Sequence, residues 1–289
     1  MADKVLAGRI VVVTGAGRGL GRAMACGLAE AGARITLVDV DHDVLLEAAA
    51  TVERRGGPGC ALAVVADITR QDNVDEVVAR TLARFGGISM LVNNAAIGPQ
   101  FVSSDVFHRP PKFWETDLAL WQRMMAVNAF GTHLMSVGVV PHMVERRWGR
   151  IVSVTTSLDT MYLRGCGAYG PSKAASEANT AIMATDLEGT GVTANVLVPG
   201  GPADTRMIPM QTGFARDQLV QPEKMVPPIV WLASDDSEGI NGMRFRAALW
   251  DPAESRDVRI ATAGAPIAWK GLGAQAINPP AGSCSALPK

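Results

Sequence analysis

The chain has 289 residues, of which 48% are hydrophobic and 19% are charged, so it can bury a substantial core. A formal net charge of -1 excludes a broad basic field for nucleic acid, and no run of 18 or more apolar residues indicates a membrane span. The first residues carry Asp3 and Lys4 and lead directly into a strand pattern, unlike a secretory signal, so we expect a cytoplasmic protein.

Short β-branched runs alternate with longer amphipathic stretches along most of the chain. The predicted strands are, in order, Arg9–Thr14, Arg34–Asp39, Ala61–Ala66, Ser89–Asn93, Arg150–Thr155, Val192–Val198 and a weaker Met243–Leu249. The predicted helices are Gly21–Ala31, Val44–Arg54, Gln71–Phe85, Leu118–Arg146, Ser172–Leu187 and Pro222–Leu232. Apolar strands joined by helices indicate a parallel sheet covered on both faces. With right-handed crossovers they predict a single-domain doubly wound α/β structure, a Rossmann fold in three layers α/β/α, over residues 1–250.

Two stretches interrupt this alternation. Residues Pro99–Thr116 contain adjacent prolines and several aromatic residues, and we expect an ordered surface loop there. It follows the fourth strand, so it is either a substrate wall or lid, or a surface insertion with its own apolar cluster. Residues Asp251–Lys289 are rich in Ala, Gly and Pro, and we interpret them as a C-terminal extension that can pack on a neighbouring subunit.

The cysteines and histidines show neither metal-ligand spacing nor a disulfide framework, so we expect reduced, mostly buried thiols and no metal site. They are Cys26, Cys60, Cys166 and Cys284, with His42, His108, His133 and His142.

A glycine-rich turn, TGAGRGLG from Thr14 to Gly21, follows the first predicted strand and leads at once into a helix. Glycines let backbone N–H groups approach a pyrophosphate, and the helix N-terminus adds partial positive charge. Asp39 ends the next strand, where a carboxylate can accept both ribose hydroxyls and repel a 2′-phosphate. We therefore favour NAD over NADP, although Arg18 in the turn could reach a 2′-phosphate.

In these motifs the chain resembles the short-chain dehydrogenase/reductase (SDR) superfamily, whose pattern TGxxxGxG is matched by Thr14, Gly15, Gly19 and Gly21. The resemblance spans about residues 5–249, and it implies a homodimer or homotetramer through the two longest predicted helices. The cofactor-binding residues that it implies are Gly15, Arg18, Gly19, Leu20, Gly21, Asp39, Asp67, Ile68, Asn94, Ala95, Tyr169, Lys173, Pro199 and Gly200.

Tyr169 and Lys173 match the Tyr-x-x-x-Lys motif of that family. Residues four apart on a helix share a face, so the phenol and the ammonium can converge on one site. A free tyrosine titrates near 10, and a nearby cation lowers the pKa, so the phenolate can accept a proton. The resemblance also implies that Lys173 holds the nicotinamide ribose.

The hydroxyl that polarises the substrate oxygen has two candidates. The family places a serine thirteen positions before the tyrosine; in this chain that position is Thr156, and Ser157 is the next residue. Either hydroxyl can donate a hydrogen bond, and we favour Ser157, which a one-residue shortening of the following loop would bring into place. Asn128 stands where the family has its active-site asparagine, which implies that it holds a water linking Lys173 to solvent.

These residues predict an oxidoreductase that transfers a hydride between NAD(H) and a secondary alcohol or ketone, with Tyr169 as the proton acid and base. The mixed apolar residues near the site predict a moderately hydrophobic substrate. Two alternatives stay open: a reductase of an imine or another polarised double bond, and a non-catalytic NAD-binding protein.

Overall fold

The computed structural model describes residues 4–103 and 105–272, which fold around one eight-stranded sheet. The strands are β1 (Ile10–Thr14), β2 (Arg34–Asp39), β3 (Ala61–Val65), β4 (Met90–Asn93), β5 (Gly149–Val154), β6 (Val192–Val198), β7 (Met243–Arg246) and β8 (Gly264–Pro266). Their order is β3-β2-β1-β4-β5-β6-β7-β8, and only the last pair is antiparallel. This arrangement confirms the predicted doubly wound α/β fold.

Helices cover both faces of the sheet. They are α1 (Gly19–Glu30), α2 (His42–Gly56), α3 (Gln71–Phe85), α4 (Leu118–Met125), α5 (Thr132–Glu145), α6 (Tyr169–Asp186), α7 (Val226–Ala233) and α8 (Arg256–Ala263). Along β1, Val11 and Val13 pack with α1, α2 and α7, whereas Val12 packs with α3 and α5. Successive side chains of a strand point to opposite faces, so a sheet covered on both sides needs the continuous apolar runs seen in the sequence.

The sheet places its ligand crevice beside β1. Strands β2 and β3 lie on one side of β1, whereas β4 and all later strands lie on the other. In open parallel sheets, ligands bind at such a switch point, outside the carboxyl ends of the strands. The turn after β1, the end of β5 and the turn after β6 all lie at this edge.

The helix predicted over Leu118–Arg146 is a continuous helical stretch with a change of pitch in its middle. Residues Ala126–Gly131 form a π-helical segment between α4 and α5. The stretch Leu118–Glu145 is the one helix among the described residues that is long and apolar enough to suit a membrane span. Half of its most apolar window is buried, and α5 packs on α3, β4 and β5, as expected for a core helix.

The first part of the C-terminal extension adds a strand to the same sheet. After α8, strand β8 pairs antiparallel with β7, and Ile267 is fully buried beside Val196 and Val198 of β6. A three-residue strand and an eight-residue helix are too short to show a period, which explains why the sequence predicted neither. Residues 273–289, including Cys284, lie outside the described part of the chain.

Candidate active site

The glycine-rich turn after β1 is packed tightly against the end of β4. Gly15 has φ 63°, and a Cβ atom there would lie 2.7 Å from the Cα of Ala95. A Cβ on Gly21 would lie 2.2 Å from the carbonyl oxygen of Gly15. The Asn94 amide donates to the carbonyl oxygens of Thr14 and Gly15 at 2.9 and 3.0 Å. Only glycine fits these positions, and the fixed turn leaves the N-terminus of α1 open towards the crevice.

The Asp39 carboxylate is held at the end of β2 by backbone donors. Its Oδ2 accepts from the N–H of Gly17 at 3.0 Å, and its Oδ1 accepts from the N–H of Asp41 at 3.2 Å. The Arg18 guanidinium pairs with Asp41 rather than with Asp39. Asp41 also caps α2 through the N–H of Val44, a role recognisable in the sequence as an aspartate before a helix.

One cavity of about 820 Å³ runs along the carboxyl edge of the sheet. Most of the predicted cofactor and catalytic residues line it: Gly15, Arg18, Gly19, Leu20, Asp39, Asp67, Ile68, Asn94, Ala95, Thr156, Ser157, Tyr169, Lys173, Pro199 and Gly200. Gly21 and Asn128 are buried and are not among the residues that line it. The glycine-rich turn and the N-terminus of α1 offer backbone N–H groups that suit a pyrophosphate. The Asp39 carboxylate at the end of β2 suits ribose hydroxyls, so the lining residues fit a dinucleotide.

Tyr169 and Lys173 begin α6 and are both buried. Lys173 Nζ donates to the carbonyl oxygen of Val154 at 2.8 Å and lies 6.0 Å from the centre of the Tyr169 ring. Burial lowers the pKa of Lys173 to about 8. Burial also raises the pKa of the Tyr169 phenol, opposite to the direction we expected from the sequence, and Lys173 is not among the groups that lower it.

The two hydroxyl candidates, Thr156 and Ser157, line the same cavity but have different side-chain partners. A side-chain hydrogen bond with Thr156 lowers the pKa of Tyr169 and partly opposes the effect of burial. Ser157 lies in the same cavity, but its Oγ accepts from the Thr160 hydroxyl at 3.5 Å. Thr156, which ungapped counting reaches, is thus the candidate that influences the phenol, whereas the side-chain contact of Ser157, which we favoured, is with the following turn.

Asn128 lies in the π-helical segment, with its side chain fully used inside the protein. Its Nδ2 donates to the Ile97 carbonyl oxygen and to Ser172 Oγ, both at 2.9 Å, and its Oδ1 accepts from the Ile97 N–H at 2.8 Å. The side chain therefore ties the segment after β4 to α6. A water in the proposed relay would need the backbone of Asn128 instead, and π-helical segments often occur at functional sites because they alter backbone hydrogen bonding.

Only part of the loop Pro99–Thr116 lines the cavity. Phe101 and Phe107 line it, whereas Phe113 and Trp114 pack edge to face on each other and stay exposed. The Phe107 ring also packs edge to face on Phe214, with ring centres 5.9 Å apart. The loop after β4 thus meets the loop after β6 across the cavity, and this wall is largely apolar.

Among the lining residues that the sequence did not assign to the site are Thr160, Cys166 and Thr205. The Thr205 methyl group lies 3.2 Å from where a Cβ on Gly19 would be, so it faces the glycine-rich turn. The sequence could have indicated Thr205 by its position soon after Pro199-Gly200, where the chain leaves β6.

No group of three potential metal ligands occurs among residues 4–103 and 105–272. Cys26, Cys60 and Cys166 are free and buried, and burial raises the pKa of each thiol. His108 pairs with Asp105 on the surface.

Comparisons with known proteins agree with this geometry. A sequence model of the short chain dehydrogenase family matches residues 9–212. A short-chain type dehydrogenase/reductase from Picea abies is 30% identical over 256 residues, which cover 83% of this chain and 91% of that protein. A chloroplastic NADPH-dependent aldehyde reductase-like protein from Arabidopsis thaliana is 31% identical over 259 residues, 82% and 92% of the two chains.

A similar solved structure is that of a 3-ketoacyl-(acyl-carrier-protein) reductase from Brucella melitensis complexed with NADH. It has a TM-score of 0.70 and 27% identity, and covers 82% of this chain and 95% of that one. The family match runs from the start of β1 past β6, through every segment that lines the cavity. The chain therefore belongs to the short-chain dehydrogenase family and is an oxidoreductase acting on hydroxyl or carbonyl groups.

Proposed function

We propose that this protein interconverts a secondary alcohol and a ketone with NAD(H), using Tyr169 as the proton acid and base. One observation carries the proposal: the Tyr169 phenol is buried at the wall of a cavity that Thr156 and Lys173 also line, one helical turn from Lys173. A purely structural tyrosine has no need of a hydroxyl donor and a buried ammonium beside the same cavity.

The proton chemistry belongs to the protein. In oxidation the Tyr169 phenolate accepts the hydroxyl proton of the substrate, and in reduction the phenol returns it. The Thr156 hydroxyl has one proton, which it donates to the phenolate before substrate enters and to the substrate oxygen afterwards. Lys173, whose Nζ donates to the Val154 carbonyl oxygen, would hold the nicotinamide ribose. The hydride chemistry is supplied by the nicotinamide ring when the cofactor is bound.

The charges at the end of β2 support NAD as the preferred cofactor. Asp39 lines the cavity, and its carboxylate can accept hydrogen bonds from ribose hydroxyls but repels a phosphate there. Arg18 is the nearby cation that could compensate, and it is already paired with Asp41. A 2′-phosphate would therefore have to compete with Asp41 for the guanidinium.

We also propose that the protein self-associates through α5 and α6. Phe130, Val137 and Val144 form an exposed apolar stripe that runs from the π-helical segment along α5. Ile182 of α6 is exposed beside small residues. The spacing of the α5 residues, seven apart, keeps them on one helix face.

The test is a substrate panel with purified protein. NADH formation would be followed with isopropanol, cyclohexanol, benzhydrol and sorbitol, and ketone reduction with the matching ketones, each with NAD(H) and NADP(H). We expect turnover of cyclohexanol and benzhydrol in preference to sorbitol, because the substrate wall is apolar, and faster turnover with NAD(H).

The matched variant is Tyr169→Phe, which should abolish turnover while leaving the dissociation constant of NADH nearly unchanged. Mass spectrometry of the product separates alcohol oxidation from reduction of an imine. Full activity of Tyr169→Phe would overturn the mechanism.

A further inference from the structure

Beneath the active site, Glu177 of α6 and Arg244 of β7 form a buried ion pair. Glu177 is fully buried and Arg244 is 6% exposed, and Arg244 Nε donates to Glu177 Oε1 at 2.9 Å. The same Oε1 accepts from the N–H of Ala268, just after β8, at 3.1 Å. Neither charged residue lines the cavity, and the proton chemistry described above uses neither.

Both members of the ion pair form hydrogen bonds with residues at the end of β5. Glu177 Oε2 accepts from the Thr155 hydroxyl at 2.6 Å, and an Arg244 Nη2 hydrogen donates to the Thr156 carbonyl oxygen at 2.8 Å. Val154, one residue earlier, is held through its carbonyl oxygen by Lys173. Val154, Thr155 and Thr156 are therefore each hydrogen-bonded to one charged side chain. The three partners are Lys173, Glu177 and Arg244, respectively.

Stability alone does not account for this arrangement. Removing two charges from water is costly, and apolar residues of similar size often replace a buried ion pair with no loss of stability. An arginine offers several donors in a rigid plane, which fixes direction as well as distance. Here that plane spans from Glu177 to the backbone of Thr156, so it constrains the peptide group from which the Thr156 side chain projects.

We propose that Glu177 and Arg244 are positioning residues that hold the peptide of Thr156 so that its hydroxyl meets Tyr169 and the substrate oxygen. The inference rests on the proposed function of Thr156 and adds the residues that orient it. A displacement of about 1 Å in a catalytic group can cost about 10²-fold in rate, so loss of this support should reduce kcat.

The experiment is a mutant cycle on kcat for benzhydrol or cyclohexanol oxidation. Glu177→Gln with Arg244→Met removes both charges together, which avoids leaving one of them buried alone. Thr156→Ala alone should lower kcat by about 10²–10³. We expect the neutral pair to lower kcat by up to about 10²-fold without changing the dissociation constant of NADH. When the neutral pair is combined with Thr156→Ala, kcat should fall no further than with Thr156→Ala alone.

A second readout does not depend on turnover. The pKa of Tyr169 would be measured by ultraviolet titration of NAD-saturated protein carrying Tyr162→Phe. The neutral pair and Thr156→Ala should raise the pKa by similar amounts, and their combination no further. If the neutral pair folds poorly, Arg244→Lys takes its place. Lysine keeps the charge but lacks the rigid plane with which arginine donates to both Glu177 and the Thr156 carbonyl oxygen. Arg246→Met is the matched control, because Arg246 lies on the same strand but donates to Thr262 of α8.

If Thr156→Ala is slow but the neutral pair keeps wild-type kcat and phenol pKa, the positioning role is wrong and the proposed function stands. Losses that multiply in the combined variant would also overturn the positioning role, since independent damage adds in free energy. If Thr156→Ala is as active as wild type, the role of Thr156 in the proposed function fails together with the inference.

Discussion

Tyr169 is one of only two tyrosines in the chain, which makes its ionisation directly measurable. Its burial raises the pKa of the phenol, and the hydrogen bond with Thr156 offsets only part of that effect. A protein that must supply a phenolate near neutral pH therefore needs a further positive charge beside the ring. The oxidised nicotinamide carries such a charge, whereas the reduced ring is neutral.

We expect Tyr162→Phe protein to show a single phenol transition. With NADH bound, the transition should lie above the free-tyrosine value of about 10, because burial disfavours the phenolate. With NAD bound it should move to lower pH, since the cationic ring favours the phenolate. Ultraviolet difference spectra would be recorded over the range in which circular dichroism stays unchanged. Identical transitions with the two cofactors would contradict this account.

At the residue scale, the sequence predicted the residues that helical spacing or a fixed turn brings together. Tyr169 and Lys173 are four apart on one helix, so their convergence follows from geometry alone. The choice between Thr156 and Ser157 depended on the conformation of a loop, and counting residues could not determine it. The pair Glu177 and Arg244 could not be found, because a contact between residues 67 positions apart leaves no local pattern.

At the scale of elements, the loop after β4 shapes the substrate side of the cavity. We expect Phe107→Ala to raise KM for benzhydrol by about tenfold, because an aromatic contact and the packing on Phe214 are lost. The dissociation constant of NADH should not change. Phe113→Ala, in the same loop but packed only on Trp114 among aromatic rings, is the matched control. Equal effects of the two substitutions on KM would assign the loop a general structural role.

The predicted strands agree with the structure to within a residue or two, apart from β7, which ends three residues earlier than predicted. Buried parallel strands are continuous apolar runs, and the sequence displays them plainly. The π-helical segment was not predicted, since the apolar pattern of Leu118–Arg146 continues through it. Strand β8 forms only by pairing with β7, so its existence depends on tertiary contacts rather than on its own three residues.

At the scale of the whole molecule, the proposed self-association depends on the exposed apolar stripe formed by Phe130, Val137 and Val144. Val137 is 51% exposed in the middle of this stripe. We expect Val137→Glu to convert the protein to monomers, because an interface would have to bury an unpaired carboxylate. Size-exclusion chromatography with light scattering measures the outcome. Leu46→Glu, at a 49% exposed leucine on α2, should leave the assembly unchanged. A monomeric wild type would refute the proposed self-association.

The bond between Ala268 and Glu177 also has a consequence for the order in which the molecule is assembled. Two of the three donors to Glu177 among the described residues come from positions 67 and 91 later in the chain, so during synthesis its helix emerges before they do. Until then the carboxylate lacks its cationic partner Arg244, so its burial is costly, and the Thr156 carbonyl oxygen lacks the hydrogen bond from Arg244. By contrast, the pairing of β1 to β4 with one another and the bonds from Asn94 to the glycine-rich turn use no residue later than Asn94, so they can form early. We therefore expect the nucleotide side of the crevice, formed by the glycine-rich turn and β1 to β4, to fold first. The catalytic side, at the end of β5, should reach its final structure only after β8 has paired with β7.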